Sequence, residues 1–174
     1  MRIYIIGYMG AGKSTVGKRL ANRLGMDFVD LDDAFENRFR YSIPHFFDHF
    51  GEAKFRELEQ QCLNEITTEH EHAVVSTGGG TACFHGNIDF MNTHGITVYL
   101  RMHPKSLATR LNNARRLRPV IRDIPNDDMT GFVEKQLAER EPYYQQAHIT
   151  VKGEDVDLEG LAHEVEFYKN NIET

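Results

Sequence analysis

Residues 7–14 read GYMGAGKS, and Thr15 follows them. This G-x-x-x-x-G-K-S stretch comes directly after the apolar run Arg2–Ile6 and precedes a segment, Val16–Leu24, in which apolar residues recur every four positions. A buried strand, a glycine-rich loop and a helix, in this order, form the setting in which backbone N–H groups and the helix N-terminus bind phosphate. An ordinary glycine-rich turn is the alternative, but all four fixed positions of the motif are filled. We therefore predict a nucleoside triphosphate site, with Lys13 reaching the outer phosphates.

The composition is that of one globular domain. The 174 residues are 40% hydrophobic and 26% charged, and the net charge of −6 argues against a general nucleic-acid surface. We find no apolar run of membrane-spanning length, and the first strand begins too early to leave room for a signal peptide. The two cysteines, Cys62 and Cys83, indicate no disulfide framework. We expect a cytoplasmic protein that binds neither membrane nor nucleic acid.

Apolar strand-like runs alternate with helical segments along the whole chain, which indicates an α/β fold with a mainly parallel sheet. The predicted strands are 2–7, 27–31, 73–77, 96–101 and 148–151. Because ligands of such sheets bind beyond the carboxyl ends of the strands, the residues that follow each strand are candidates for the site. Three acids, Asp30, Asp32 and Asp33, follow the second strand. They are either favourable helix N-terminal charges or groups for metal binding and proton transfer.

Three consecutive glycines, Gly78–Gly80, follow the third strand. They indicate either a flexible turn or a backbone that approaches a ligand closely.

The predicted helix from about Gly51 to Thr68 carries charges on its apolar side. At about 100° per residue, Glu59 falls inside the apolar stripe and Arg56 at its margin. Either the two form a structural ion pair, or the stripe lines a pocket. The stripe itself consists of Phe55, Leu58, Cys62 and Ile66.

A second predicted helix, from about Gly131 to Arg140, places Arg140 within its apolar arc, and we expect Pro142 to kink or end it. Two inward-pointing arginines on separate helices would repel each other without an anion between them. Since a planar guanidinium suits a carboxylate or phosphate, we infer a small anionic substrate beside the triphosphate.

The segment from Asn112 to Asp128 is rich in Arg, Asn and Asp and has Arg118-Pro119 near its centre. It is long for a loop inside a compact domain, and such loops often form lids. The seven Lys and Arg residues between Arg101 and Arg122 form either a solvated basic face or a phosphate clamp.

Taken together, these motifs resemble those of the shikimate kinase family over essentially the whole length. The G-E-x-x-F-R-x-x-E, triple-glycine and late R-x-P-x-Y elements, in this order, are specific, whereas the phosphate-binding loop is shared by a large superfamily. The resemblance rests on residues 7–15, Asp30-Leu31-Asp32, Ser42-Ile43, Gly51–Glu59, Gly78–Gly80, Arg118-Pro119 and Arg140–Tyr143.

The resemblance implies a P-loop fold like that of the nucleoside monophosphate kinases, with a five-stranded parallel sheet flanked by helices. It implies a single kinase domain, 1–174, with a substrate-binding region at about 32–60 and a lid at about 112–128. It also implies ATP-dependent phosphorylation of the shikimate 3-hydroxyl, which gives 3-phosphoshikimate and ADP in chorismate and aromatic amino-acid biosynthesis. We expect a monomer.

The resemblance further implies the roles of individual residues. Lys13, Asp32 and Arg118 are the expected catalytic residues, with Asp32 as the base. Mg²⁺ is expected on Ser14 and, through water, on Asp30. The ATP-binding residues are expected to be Gly10, Ala11, Gly12, Lys13, Ser14, Thr15, Arg110 and Arg118. Those for shikimate are Asp32, Phe47, Phe55, Arg56, Glu59, Gly78, Gly79, Gly80 and Arg140, with Glu59 supporting Arg56.

Two departures from the family pattern concern the adenine side. Residues 151–154 lack the arginine that often follows the last strand, and Arg110 lies about one position off the usual spacing. Two rival functions remain: a kinase of the same fold for another metabolite, such as gluconate, and a non-catalytic nucleotide-binding module. A binding module needs no candidate base such as Asp32.

Overall fold

A computed structural model of the chain describes residues 1–113, 121 and 123–172, and for residue 172 the backbone alone. The described residues form a five-stranded, entirely parallel sheet in the order β2-β3-β1-β4-β5. This confirms the predicted α/β class and the five parallel strands. The strands are β1 (Arg2–Ile6), β2 (Asp27–Asp30), β3 (Ala73–Ser76), β4 (Ile96–Arg101) and β5 (Ile149–Lys152).

The predicted strand ends are each within one residue of those observed, and local chemistry explains two differences. β1 stops before Gly7, whose φ of 140° turns the chain into the glycine-rich loop. β5 starts one residue late because the backbone N–H of His148 donates to the hydroxyl of Thr97, at 3.0 Å. Backbone pairing with β4 begins only at the next residue, Ile149, opposite Val98.

Seven α-helices flank the sheet in the described part of the chain, among them α1, which packs against β3 and α7. The core centres on β1, where Ile3, Tyr4, Ile5 and Ile6 are completely buried. No helix among the described residues combines the length and the apolar character that crossing a membrane requires. The helices are α1 (Lys13–Leu24), α2 (Leu31–Phe39), α3 (Ile43–Glu69), α4 (Asn87–His94), α5 (Pro104–Asn112), α6 (Met129–Tyr144) and α7 (Leu158–Ile172).

Two predicted helices differ in extent from those observed. The helix predicted from about Gly51 is the second part of α3, which has a break at Gly51, where φ is 78° and ψ is 171°. Pro142 was expected to kink or end the other helix, and of these two effects the second does not occur. α6 continues to Tyr144, and the N–H of Gln145 still donates to the carbonyl of Glu141 at 2.9 Å. Pro142 lies in the last turn, where the loss of one N–H interrupts little of the helix.

Candidate active site

The glycine-rich loop closes around its own lysine. Gly7, Gly10 and Gly12 all have positive φ, and Gly12 directly precedes α1. Lys13 Nζ donates to the carbonyls of Gly7 and Tyr8 at 2.9 Å each, and Lys13 is 8% exposed. The ammonium group is thus held beside the N-terminus of α1, whose dipole favours an anion.

Arg110 reaches the same loop from α5. Its Nη1 atom lies 3.3 Å from the carbonyl oxygens of both Gly10 and Ala11. The structure therefore places this predicted ATP-binding residue against the loop, despite its displaced spacing. Residues 114–120 and 122 of the predicted lid, Arg118 among them, lie outside the described residues.

The two predicted metal-binding residues are in direct contact. Ser14 Oγ donates to Asp30 Oδ2 at 2.5 Å and lies 3.2 Å from Ser76 Oγ. Asp30 also caps α2, since its Oδ1 accepts from the backbone N–H of Asp32 at 3.1 Å. The hydroxyl and carboxylate oxygens gathered here suit Mg²⁺, which prefers oxygen ligands and is usually held by few protein groups besides phosphates and water.

In the described part of the chain, no group of three or more His, Cys, Asp and Glu side chains is placed to hold a metal.

Asp32 shares a cleft with the loop. The cleft has a volume of about 230 Å³ and connects the phosphate-binding loop with the ends of β2 and β3. Asp32 lies in the first turn of α2, beyond the carboxyl end of β2, as the sheet topology predicts. The cleft is lined by Gly10, Gly12, Lys13, Ser14, Thr15, Asp30, Asp32, Thr77 and Gly79. Asp32, the candidate base, and Lys13, the candidate phosphate-binding residue, thus line the same cleft.

The glycines after β3 are packed too closely for side chains. A β-carbon built at Gly79 would lie 2.8 Å from the backbone nitrogen of Met9, and one at Gly80 would lie 2.4 Å from Arg56 Nη2. One at Gly78 would lie 2.9 Å from Glu59 Oε1 and 3.1 Å from Asp32 Oδ1. The structure thus explains the three glycines by close packing against protein groups, and their close approach to a ligand stays a prediction.

Arg56 and Glu59 form the predicted ion pair. Arg56 Nη1 lies 2.9 Å from Glu59 Oε2, and the two residues are 6% and 1% exposed. The other carboxylate oxygen of Glu59 accepts from the hydroxyl of Thr81 at 2.6 Å. Arg56 also donates to Glu52 at 3.2 Å, and its guanidinium lies 4.4 Å from the centre of the Phe84 ring. These contacts orient Arg56 towards the glycine turn, so the ion pair and a pocket lining are compatible.

The predicted aromatic lining lies next to this pair. Phe55 is buried and Phe47 half-buried, with their ring centres 4.7 Å apart. The guanidinium of Arg56 lies 5.1 Å from the centre of the Phe55 ring. Phe47, before the break in α3, and Phe55, after it, thus add an apolar wall beside a cation.

Arg140 approaches the glycine turn from α6. Its Nη1 atom donates to the carbonyl of Gly79 at 3.4 Å, and its guanidinium lies 5.3 Å from the centre of the Tyr8 ring. Arg140 is half-buried, whereas Arg56 is almost fully buried. The two arginines therefore contact adjacent glycines from different helices, which agrees with the inward orientation predicted for both.

Three residues of this region were not singled out as site residues by the sequence: Ser76, Thr81 and Tyr144. Tyr144 is completely buried, and its hydroxyl donates to the carbonyl of Gly79. The signals for Thr81 and Tyr144 were their positions directly after the triple glycine and at the end of the R-x-P-x-Y element. No periodicity marks Ser76, the last residue of β3.

Burial keeps the thiol of Cys83 and the hydroxyl of Tyr8 protonated. It raises the pKa of the Cys83 thiol to about 11, although Arg140 and Arg56 act in the opposite direction. It likewise raises the pKa of Tyr8 to about 12. At neutral pH both groups are uncharged, so Cys83 is a thiol rather than a nucleophilic thiolate.

Comparison with known proteins agrees with this geometry. The profile of a family described as shikimate kinase matches residues 9–166. The chain belongs to the shikimate kinase family. A shikimate kinase of Parabacteroides distasonis is 40% identical over 164 residues, which cover 94% of each chain.

Solved structures of shikimate kinases resemble this family member closely. The crystal structure of the shikimate kinase from Bacteroides thetaiotaomicron superimposes with a TM-score of 0.86 at 38% identity, and the match covers 98% of both chains. That of the Acinetobacter baumannii enzyme in complex with shikimate gives a TM-score of 0.83 at 32% identity, covering 98% of this chain and 93% of the other.

Proposed function

We propose that this member of the shikimate kinase family transfers the γ-phosphoryl group of ATP to the 3-hydroxyl of shikimate. The products are ADP and 3-phosphoshikimate, an intermediate of chorismate and aromatic amino-acid biosynthesis. The observation that carries the proposal is the position of Gly79. It lies so close to the phosphate-binding loop that a built β-carbon would come within 2.8 Å of the backbone nitrogen of Met9, while its carbonyl accepts from Arg140. An anion-binding arginine and the nucleotide loop thus meet at one turn.

In this proposal Arg56 and Arg140 bind the carboxylate of shikimate, together with the backbone of the Gly78–Gly80 turn. The rigid fork of a guanidinium matches a carboxylate, and Glu59 holds the fork of Arg56 in place. Phe47 and Phe55 pack against the ring of the substrate.

Asp32 binds the substrate hydroxyls and accepts the proton of the 3-hydroxyl as its oxygen attacks the γ-phosphorus. The new O–P bond forms as the bond between the γ-phosphorus and the bridging oxygen of ADP breaks. Lys13 exchanges its two carbonyl contacts in the loop for phosphate oxygens, and Arg118 of the lid stabilises the charge on the transferring group.

On the nucleotide side, the backbone of Gly10, Ala11, Gly12 and Thr15 binds phosphate, and Arg110 contributes from α5. We propose Mg²⁺ as the metal, held by Ser14 and, through water, by Asp30. When bound, it neutralises charge on the phosphates.

We further propose a monomeric, cytoplasmic enzyme whose 174 residues form one domain. Within it, residues of about 32–60 bind the substrate, and residues of about 112–128 form a lid that excludes water from the transfer.

A single-turnover experiment tests this function directly. Enzyme in excess is mixed with Mg²⁺ and ATP labelled in the γ-phosphoryl group, once with shikimate and once without it. We expect the label to appear in 3-phosphoshikimate at a rate that far exceeds the release of free phosphate without shikimate. A non-catalytic nucleotide-binding module would retain the label in ATP in both samples, and that result would refute the proposal.

A further inference from the structure

The carbonyl oxygen of Gly79 accepts two hydrogen bonds from the same helix. Arg140 Nη1 donates to it at 3.4 Å, and the hydroxyl of Tyr144, one helical turn further along α6, donates as well. The two contacts join α6 to a turn that lies more than 60 residues earlier in the chain. Of the two, that of Arg140 is long for a hydrogen bond of this kind. Tyr144 is therefore the principal partner of this carbonyl.

We infer that Tyr144 is a positioning residue for shikimate binding: it holds the Gly79 carbonyl so that the glycine turn stays in place and the guanidinium of Arg140 stays free for the substrate carboxylate. This inference rests on the proposed function. Tyr144 does not itself touch the substrate in this inference. The positioning role belongs to its hydroxyl group and not to its ring.

The planarity of the peptide bond explains how the contact acts on the site. The carbonyl of Gly79 and the N–H of Gly80 belong to one rigid unit and point in opposite directions. The α-carbon of Gly80 ends this unit, and Gly80 lies directly against Arg56, to whose Nη2 atom a built β-carbon would come within 2.4 Å. Rotation of this peptide would therefore disturb both arginines at once. A hydrogen bond to the carbonyl resists that rotation.

The surroundings of Tyr144 suit a fixed donor. The residue is completely buried, and its ring stacks on that of Tyr99 with centres 5.0 Å apart and an angle of 29° between the planes. Burial raises the pKa of Tyr144, so the hydroxyl keeps its proton at neutral pH. A buried phenol of this kind requires a partner, and the glycine turn provides it.

Tyr99 offers a matched control within the same stack. It is 1% exposed, and its hydroxyl donates to Glu141 Oε2 at 2.8 Å rather than to the glycine turn. Tyr99→Phe and Tyr144→Phe each remove one hydroxyl from a buried, stacked ring. The hydrogen bond lost in Tyr144→Phe leads to the glycine turn, where the hydroxyl also neighbours Arg140 and Cys83, whereas the one lost in Tyr99→Phe leads to Glu141.

The test measures steady-state kinetics and thermal melts of the two variants and the parent. We expect Tyr144→Phe to raise the KM for shikimate by about fivefold, the range that loss of a neutral hydrogen bond produces. Because the contact serves substrate and transition state alike, kcat and the KM for ATP should stay within about twofold of the parent. Tyr99→Phe should lower the melting temperature comparably and leave the KM for shikimate unchanged.

Two results would overturn the inference: an unchanged KM for shikimate in Tyr144→Phe, or an equal rise in both variants. Failure of the proposed function is a separate outcome, since the parent itself would then not phosphorylate shikimate.

A measurement on the parent covers the case in which Tyr144→Phe does not fold. With tyrosine labelled at the ring carbon that bears the hydroxyl, saturating shikimate should shift the NMR signal of Tyr144, because the substrate takes over Arg140 and leaves Gly79 to Tyr144 alone. The signal of Tyr99 should stay in place. A Tyr144 signal that does not move would contradict the inference.

Discussion

Arg56 and Glu59 form a buried ion pair, with 2.9 Å between Nη1 and Oε2, one turn apart on α3. The pair lies at the glycine turn, and Thr81 satisfies the second oxygen of Glu59. Such a pair can bind a further anion only if the cation has N–H groups that are not used by the pair itself. A guanidinium has five N–H groups, so Arg56 can hold Glu59 and still donate to a substrate carboxylate.

The two proposed carboxylate-binding arginines should differ in their effect on stability. Arg56→Ala leaves Glu59 buried without its cation and should cost about 3–5 kcal/mol of folding free energy. Arg140 is half-buried, so Arg140→Ala should cost much less. Both changes should raise the KM for shikimate by about tenfold or more, since each removes a charge-assisted hydrogen bond.

Thermal melts with and without shikimate measure both effects. In each variant the stabilisation by shikimate should shrink. If both variants keep the full shift of the parent, the arginines do not bind the substrate.

Lys13→Ala should abolish phosphoryl transfer, because it removes the cation that balances the outer phosphates. The ammonium donates to two carbonyls of its own loop, so some loss of stability should accompany the change. Turnover is measured after circular dichroism has verified that the variant is folded. Loss of the proposed role should lower the activity by much more than tenfold. An activity within about tenfold of the parent would therefore exclude that role.

Asp32→Asn should lower kcat by about two to four orders of magnitude, the range of general base catalysis. Asp33→Asn is the matched control, since it removes the same charge from the adjacent, exposed position. Initial rates at saturating shikimate and ATP compare the two. Should both variants turn over at nearly the parental rate, Asp32 serves in binding only.

Gly79→Ala should impair both fold and activity, since the added methyl group would lie 2.8 Å from the Met9 backbone nitrogen. Gly131→Ala on α6 is the control, because a β-carbon there meets nothing within 4 Å. That change should be neutral or stabilise by up to about 1 kcal/mol, since alanine favours a helix. Chemical denaturation and kcat/KM for shikimate separate the two variants. If the two variants had the same stability and the same kcat/KM, the protein would accommodate a methyl group at residue 79 without loss of stability or activity.

The protein should become less stable at acid pH, and protonation of His148 should contribute to this loss. Burial lowers the pKa of His148, whose Nδ1 accepts from the N–H of Thr97 at 3.1 Å. Below about pH 6.5 the unfolded chain then binds more protons than the folded one, so stability decreases as the pH falls through this value and is fully present above it. Urea denaturation at pH 7 and pH 5 should show a smaller decrease for His148→Asn than for the parent. Identical decreases would assign the acid sensitivity to other groups.

The sequence alone indicated which residues face the site and offered the pairing of Arg56 with Glu59 on one helix, but it did not indicate the contacts between distant parts of the chain. Hydrophobic periodicity placed Arg56 and Arg140 on the inner faces of their helices, and the motif spacing placed Lys13 in the loop. Tyr144 and Gly79, by contrast, meet only because α6 packs against a turn from a distant part of the chain. Periodicity reports the face of a helix, whereas its height and rotation against a neighbour depend on the packing of the whole core.

The helix ends show the same limit. A proline predicts a break, yet Pro142 is accommodated because it lies in the last turn of α6. Arg110 likewise lies about one position off the family spacing, yet its long side chain reaches Gly10 and Ala11. A long, flexible side chain can compensate for a shift of one position along the helix. The spacing of residues in the sequence does not reveal this.

The most direct test of the central claim is the release of ADP at fixed ATP and Mg²⁺, measured in parallel with shikimate, with gluconate and with neither. We predict rapid, saturable release with shikimate and only background release in the other two reactions. Release that gluconate stimulates as well as shikimate does, or that shikimate leaves at background, would contradict the account.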